Sequence, residues 1–149
     1  MSGVLEGGCY CGKIRYRADS VFDSGYCHCS ICRRFTGTPA LTWFNIPEQD
    51  FLVVRGSAMG FRSSKHFTRY FCGKCGAHVF GRDDRPPSPA LGFRLVSVGI
   101  GTLDNPELVA PQVHQWWRNR VSWYRIQDAL PRFEDGRLTH PSTRQSHKP

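Results

Sequence analysis

Cys27-His28-Cys29-Ser30-Ile31-Cys32-Arg33-Arg34 places three thiols in the spacing C-x-C-x-x-C, with two guanidiniums directly after them. A thiolate is both a metal ligand and a nucleophile, and neighbouring positive charge lowers its pKa. Three closely spaced thiolates cover three corners of a zinc tetrahedron and leave the fourth free, the arrangement that separates a catalytic zinc from a structural one. Cys27, Cys29 and Cys32 are therefore the candidate active-site ligands.

Outward from this stretch lie four more cysteines. Cys9 and Cys11 sit in the turn Gly7-Gly8-Cys9-Tyr10-Cys11-Gly12, and Cys72 and Cys75 in the knuckle Cys72-Gly73-Lys74-Cys75-Gly76. The total of 7 is odd and two of the spacings are C-x-C, too tight to bond within the pair, so a closed disulfide framework fits poorly. In a reducing compartment clustered cysteines are metal ligands or catalytic groups more often than disulfides. Seven sulfurs divide most naturally into four and three. Cys9, Cys11, Cys72 and Cys75 then complete a closed four-thiolate tetrahedron, a structural site that ties the N-terminal turn to the middle of the chain. The remaining trio takes a second zinc with an open position, or, on the alternative reading, a second structural zinc closed by His28 or His66. A histidine between two ligating cysteines would have to bend back to reach the same ion, so His28 reads as an outer or solvated group.

The charge of the trio shapes its chemistry. Three thiolates and one Zn²⁺ sum to a single negative charge, which makes a weak Lewis acid that favours a soft ligand such as sulfur. Arg33 would offset that charge and grip a carboxylate by paired hydrogen bonds, with Arg34 facing solvent.

Between the cysteines the pattern is that of short strands. Lys13-Ile14-Arg15-Tyr16-Arg17 alternates, and so does His66 to Phe71; Ala40–Phe44, Phe51–Arg55 and Phe93–Ile100 are aromatic or β-branched runs bounded by Gly, Pro or Asn. Ser30 to Phe35 forms a helical turn that Thr36-Gly37-Thr38-Pro39 ends. Asp83 to Gly92, with Pro86, Pro87 and Pro89, reads as a surface loop and a candidate lip over a site. Frequent Gly/Pro turns and no amphipathic helix predict an all-β domain over 5–136. From 137 to 149 the chain is polar and basic without periodicity, and disorder is expected there.

At 149 residues, 40% hydrophobic and 13% aromatic, the chain supports one domain with a core. No apolar run reaches the roughly 20 residues that cross a bilayer, and the N-terminus lacks the basic start and apolar stretch of a signal peptide; a cytoplasmic protein with no membrane partner is expected. The formal charge is +8, from 20 Lys+Arg against 12 Asp+Glu. These cations are scattered rather than gathered into a run, a poor electrostatic footprint for nucleic acid.

The cysteine motifs, with Arg69-Tyr70-Phe71 before the knuckle and Val96-Ser97-Val98-Gly99, Thr102-Leu103-Asp104, His114-Gln115-Trp116, Trp123 and Leu130-Pro131-Arg132-Phe133 after it, resemble the glutathione-dependent formaldehyde-activating enzyme (GFA) family. All seven cysteines fall on the family pattern in order. The resemblance implies a β-tent fold of short antiparallel sheets stapled by two zincs, divided four and three as above. It also implies a carbon–sulfur lyase that joins formaldehyde and glutathione as S-hydroxymethylglutathione, with His114 and Trp116 near the cleft. The expected partners are a small thiol, glutathione or similar, and formaldehyde or another small aldehyde. The alternatives are a zinc-stabilised nucleic-acid or chromatin binding module, and a thiol or aldehyde carrier without turnover.

Overall fold

The computed structural model describes residues 3–136, so the basic tail lies outside the described residues. Strands β1 (Leu5–Gly8), β2 (Arg15–Ala18) and β5 (Phe51–Arg55) make a three-stranded sheet in the order β1-β2-β5. Strands β3 (Asp23–Cys27), β4 (Leu41–Pro47), β6 (Met59–Ser64), β7 (Phe67–Phe71), β8 (His78–Asp83), β9 (Leu95–Gly99) and β10 (His114–Gln115) make a seven-stranded sheet in the order β10-β3-β4-β9-β8-β7-β6. One helix, α1 (Ser30–Thr36), interrupts them. The all-β expectation holds, with one departure from purely antiparallel sheets. β10 runs parallel to β3, pairing His114 with Tyr26 and Gln115 with Cys27.

Strand periodicity gives the large sheet two unlike faces. On one, the register partners Phe44, Val98, Phe80 and Tyr70 form an apolar row across β4, β9, β8 and β7. The three-stranded sheet covers that row with Tyr16 and Phe51, whose rings lie 5.5 Å apart, while Phe51 and Phe80 lie 4.9 Å apart. This is the main core, and it also takes in Cys9 and Cys72.

On the other face the row one residue along reads Asp23, Asn45, Ser97, Gly81, Arg69 and Phe61 across β3, β4, β9, β8, β7 and β6. Small residues in its middle leave a hollow. A Cβ on Gly81 would lie 2.4 Å from Cε1 of Phe67, so alanine there would push that ring out of place. The polar members of the row are tied to one another. Asn45 Nδ2 donates to Asp23 at 2.7 Å and Ser97 Oγ donates to Asn45 Oδ1.

Candidate metal centre and cavity

Local rules bring the three-cysteine stretch together. Cys27 ends β3, and Cys29 takes extended backbone (φ −65°, ψ 151°) as the N-cap of α1, where its sulfur accepts the Cys32 N–H at 3.3 Å. A helix start needs a side-chain acceptor for its unpaired N–H groups, and here a cysteine supplies it. Cys32 is one turn in and buried. The three Sγ atoms lie within 4.8 Å of one another, and among the described residues no fourth His, Cys, Asp or Glu joins the cluster.

The second cluster is assembled from distant segments. Gly12 and Gly76 take left-handed φ of 72° and 76°, open to glycine without strain, and close the two knuckles through N–H bonds to Cys9 O (3.0 Å) and Cys72 O (2.8 Å). Cys9 and Cys11 sulfurs are 3.7 Å apart, and Cys11 and Cys72 sulfurs 3.8 Å. Sulfurs at the corners of a zinc tetrahedron with bonds of about 2.3 Å stand about 3.8 Å apart. The four-cysteine set therefore fits zinc, and an N–H from Ile14 at 3.2 Å further satisfies the Cys9 sulfur. The trio fits the same ion with three donors.

The trio sits on the wall of a cavity of about 250 Å³ above the hollow face of the large sheet. Leu41, Trp43 and Trp116 add apolar wall beside it, and Asn45, Ser97, Asp83 and Arg85 line it farther off. The Asp83–Gly92 stretch is a surface loop, with Asp84, Pro87, Pro89 and Ala90 exposed, that also lends Asp83, Arg85, Ser88 and Leu91 to this wall. Asp83 ends β8 and pairs with Arg85, and Ser88, buried, turns the chain by accepting N–H bonds from Leu91 and Gly92. Trp116 holds its place in the left-handed region (φ 56°, ψ 39°), a conformation that costs a bulky residue energy and occurs where the surroundings enforce it. Trp116 N–H to Asp135 O (3.1 Å) and Trp117 N–H to Phe133 O (3.0 Å) provide that enforcement.

The guanidinium beside the cluster belongs to Arg69, not to Arg33. Arg69 Nη2 lies 3.2 Å from Cys32 Sγ, and its side chain lines the cavity. Arg33 and Arg34 occupy the last turn of α1, where positive charge suits the helix C-terminus, and neither lines the cavity. Chain direction explains the difference: one residue along the helix turns Arg33 about 100° around the axis from Cys32, whereas register in β7 aims Arg69 into the hollow.

Without a metal, hydrogen bonds from Cys27 and Cys29, with Arg69 helping, hold the Cys32 thiol well below its usual range. Hydrogen bonding to Cys29 and Cys32 pushes Cys27 up. At Cys29 the bond from Cys27 lowers the pKa, but the bond to Cys32 and burial outweigh it and push the thiol up to about 12.

His28 is neither a solvated group nor a member of the trio. It is buried, and its Nε2 meets His114 Nδ1 at 2.9 Å, while His114 Nε2 meets the Asp128 carboxylate at 3.0 Å. A carboxylate can only accept, so a neutral His114 carries its proton on Nε2 and accepts from His28 Nε2–H. His28 Nδ1 is then a lone pair, and it has no partner among the described residues. Burial, with His114 and Arg120 adding to it, pushes His28 down to about 4 and keeps it neutral. His66 lines the cavity and does not join the trio. Trp116 thus lines the cavity beside the cysteines, whereas His114 is not among the lining residues and is tied to His28 and Asp128. Asp128 and His78, another cavity-lining residue, carried no sequence signal, because neither lies in a metal-ligand spacing.

This chain is similar to known proteins in sequence and in fold. The model of the glutathione-dependent formaldehyde-activating enzyme family matches residues 4–119. The chain belongs to that family. It is 29% identical over 136 residues to a Halomonas elongata protein named "Putative glutathione-dependent formaldehyde-activating enzyme", across 83% of this chain and 82% of that one. Its fold is similar to the crystal structure of a Rhodobacter sphaeroides protein, with a TM-score of 0.54 and 22% identity, covering 71% of this chain and 96% of the other. The segment 120–136, with Asp128, lies beyond the family match.

Proposed function

We propose that the chain is a zinc-dependent carbon–sulfur lyase of the S-(hydroxymethyl)glutathione synthase kind, acting on glutathione or a similar thiol and on formaldehyde or another small aldehyde. The observation that carries this reading is the three-sulfur cluster on the cavity wall, with no fourth protein ligand among the described residues. Cys27, Cys29 and Cys32 would hold the second zinc and Cys9, Cys11, Cys72 and Cys75 the first. Zinc held by the trio supplies a weak Lewis acid with a preference for sulfur, which keeps a thiol ionised at neutral pH.

In the reaction the thiol sulfur bonds to the carbonyl carbon, the π pair moves to oxygen, and that oxygen takes up the proton the thiol gave. The chain's part is largely one of placement. Trp43, Trp116 and Leu41 wall the sulfur end with apolar surface, and Asn45 and Ser97, tied to each other and held by Asp23, give the floor a fixed set of polar atoms. Holding two reactants in one small space replaces a bimolecular encounter with a local one. Seven free thiols suit a reducing, cytoplasmic setting. Among the described residues no helix is long and apolar enough to cross a membrane.

Exchange NMR of glutathione with formaldehyde tests the reading. Adduct formation speeds up with the protein present and returns to the background rate with Cys29→Ala. No acceleration by freshly purified, zinc-loaded protein sinks it.

A further inference from the structure

We propose that Arg69 is the charge partner of the three-cysteine cluster and sets how tightly that cluster holds a divalent metal. The inference rests on the reading of the trio as a metal site, but not on turnover. Arg69 is 6% exposed, and among the described residues no Asp or Glu pairs with it. A buried cation without an anion is costly, so an anion must be found nearby. Its Nη2 is 3.2 Å from Cys32 Sγ, its Nε donates to Ser63 Oγ at 3.1 Å, and Phe35 and Phe67 flank it with ring centroids 5.0 and 5.2 Å away. The rings and the serine fix the guanidinium in place.

The anion it faces is the sulfur cluster. Three thiolates with a divalent cation leave one negative charge, and Arg69 brings the pair to neutrality in a buried wall. The four-cysteine cluster has no such cation among its described hydrogen-bond partners; Cys11 there is exposed, and water screens its charge. The two clusters are thus balanced by different means, one by solvent and one by a single fixed side chain. Arg69→Gln leaves the trio buried with its charge uncompensated and weakens its metal, while the other cluster keeps its own.

The test is zinc content and competition with a chromophoric chelator, on the freshly purified full chain. Wild type should hold about two zincs, one per cluster. Arg69→Gln should hold one as before and the other about tenfold or more weakly, the size of effect usual for a lost outer partner of a metal ligand. Arg69→Lys, which keeps the charge, should stay much closer to wild type, and Arg33→Gln should match it. A folded Arg69→Gln with wild-type affinity at both clusters overturns the proposal, and so does Arg33→Gln weakening the second zinc as much. If Arg69→Gln fails to fold, Arg69→Lys decides: near-wild-type affinity supports the charge role, and a loss of about tenfold or more overturns it. Loss of adduct formation in Arg69→Gln with unchanged zinc affinity would overturn this inference and leave the lyase reading intact. The affinity pattern in a protein without turnover would do the reverse.

Discussion

The two cysteine clusters use the same atom type for opposite ends. Cys9, Cys11, Cys72 and Cys75 join segments far apart in the chain and border the main core, so their closure contributes to folding. Cys27, Cys29 and Cys32 come from one strand end and one helix start, so little chain entropy hangs on bringing them together. What distinguishes the second is its address, a buried wall above a hollow sheet face, with Arg69 alongside. Closing a long loop lowers the entropy of the unfolded chain more than closing a short one.

Breaking the first cluster should have the largest effect. Cys72→Ser removes a ligand whose set is worth on the order of 10 kcal/mol by comparison with zinc-finger peptides, comparable to a whole domain's stability. The circular-dichroism signal of the β-sheet should be lost at room temperature. A folded Cys72→Ser protein would mean that the closed cluster is not a staple.

The core beside that cluster predicts an alkaline limit. Burial pushes the Tyr16 hydroxyl up to about 12 despite its bond to Thr102 at 2.9 Å. The folded protein holds this proton more tightly than the unfolded chain, whose tyrosine titrates near 10. Stability from Tyr16 is therefore full below about pH 10 and is lost as pH rises towards 12, by roughly 2–3 kcal/mol. Urea midpoints at pH 9 and 11 for wild type and Tyr16→Phe check it; the variant should lack that part of the fall.

On the cavity side, Gly81→Ala forces Phe67 aside and should cost about 1–3 kcal/mol as overpacking does. KM for the thiol should rise with a smaller change in kcat, because the methyl enters the hollow and not the sulfur cluster. A Tm and a KM both at wild-type values would show that the hollow is not the binding space. The smallest expected effect on stability is that of Cys29→Ala. Losing the cap of α1 costs about 1 kcal/mol, while the zinc count falls from about two to one. Should that variant unfold as Cys72→Ser does, the contrast between the clusters fails.

Much of this organisation was legible in the residues. The spacings C-x-C and C-x-x-C announce both clusters, and β5, β7 and α1 lie close to where alternation and turn residues place them. β3 and β6 escaped notice for opposite reasons. β3, Asp23-Ser24-Gly25-Tyr26-Cys27, is polar and yet buried, because Asp23 meets Asn45 and Ser24 donates to Ala110 O at 2.8 Å. β6, Met59 to Ser64, is an edge strand exposed along most of its length, so it carries no alternation of burial. A polar strand satisfied by cross-strand partners and an edge strand facing water both lack the apolar period that marks a strand in sequence.

By itself the sequence determined the all-β class, the family and the division of seven sulfurs into four and three, because ligand spacing and strand period are local properties of the chain. Only the tertiary structure decided which arginine faces the trio, that Asp128, His114 and His28 form one hydrogen-bonded line, and that Gly81 and Ser97 line the cavity beside it. Those facts depend on cross-strand register, which aligns residues far apart in the chain and leaves no mark on the spacing of neighbours.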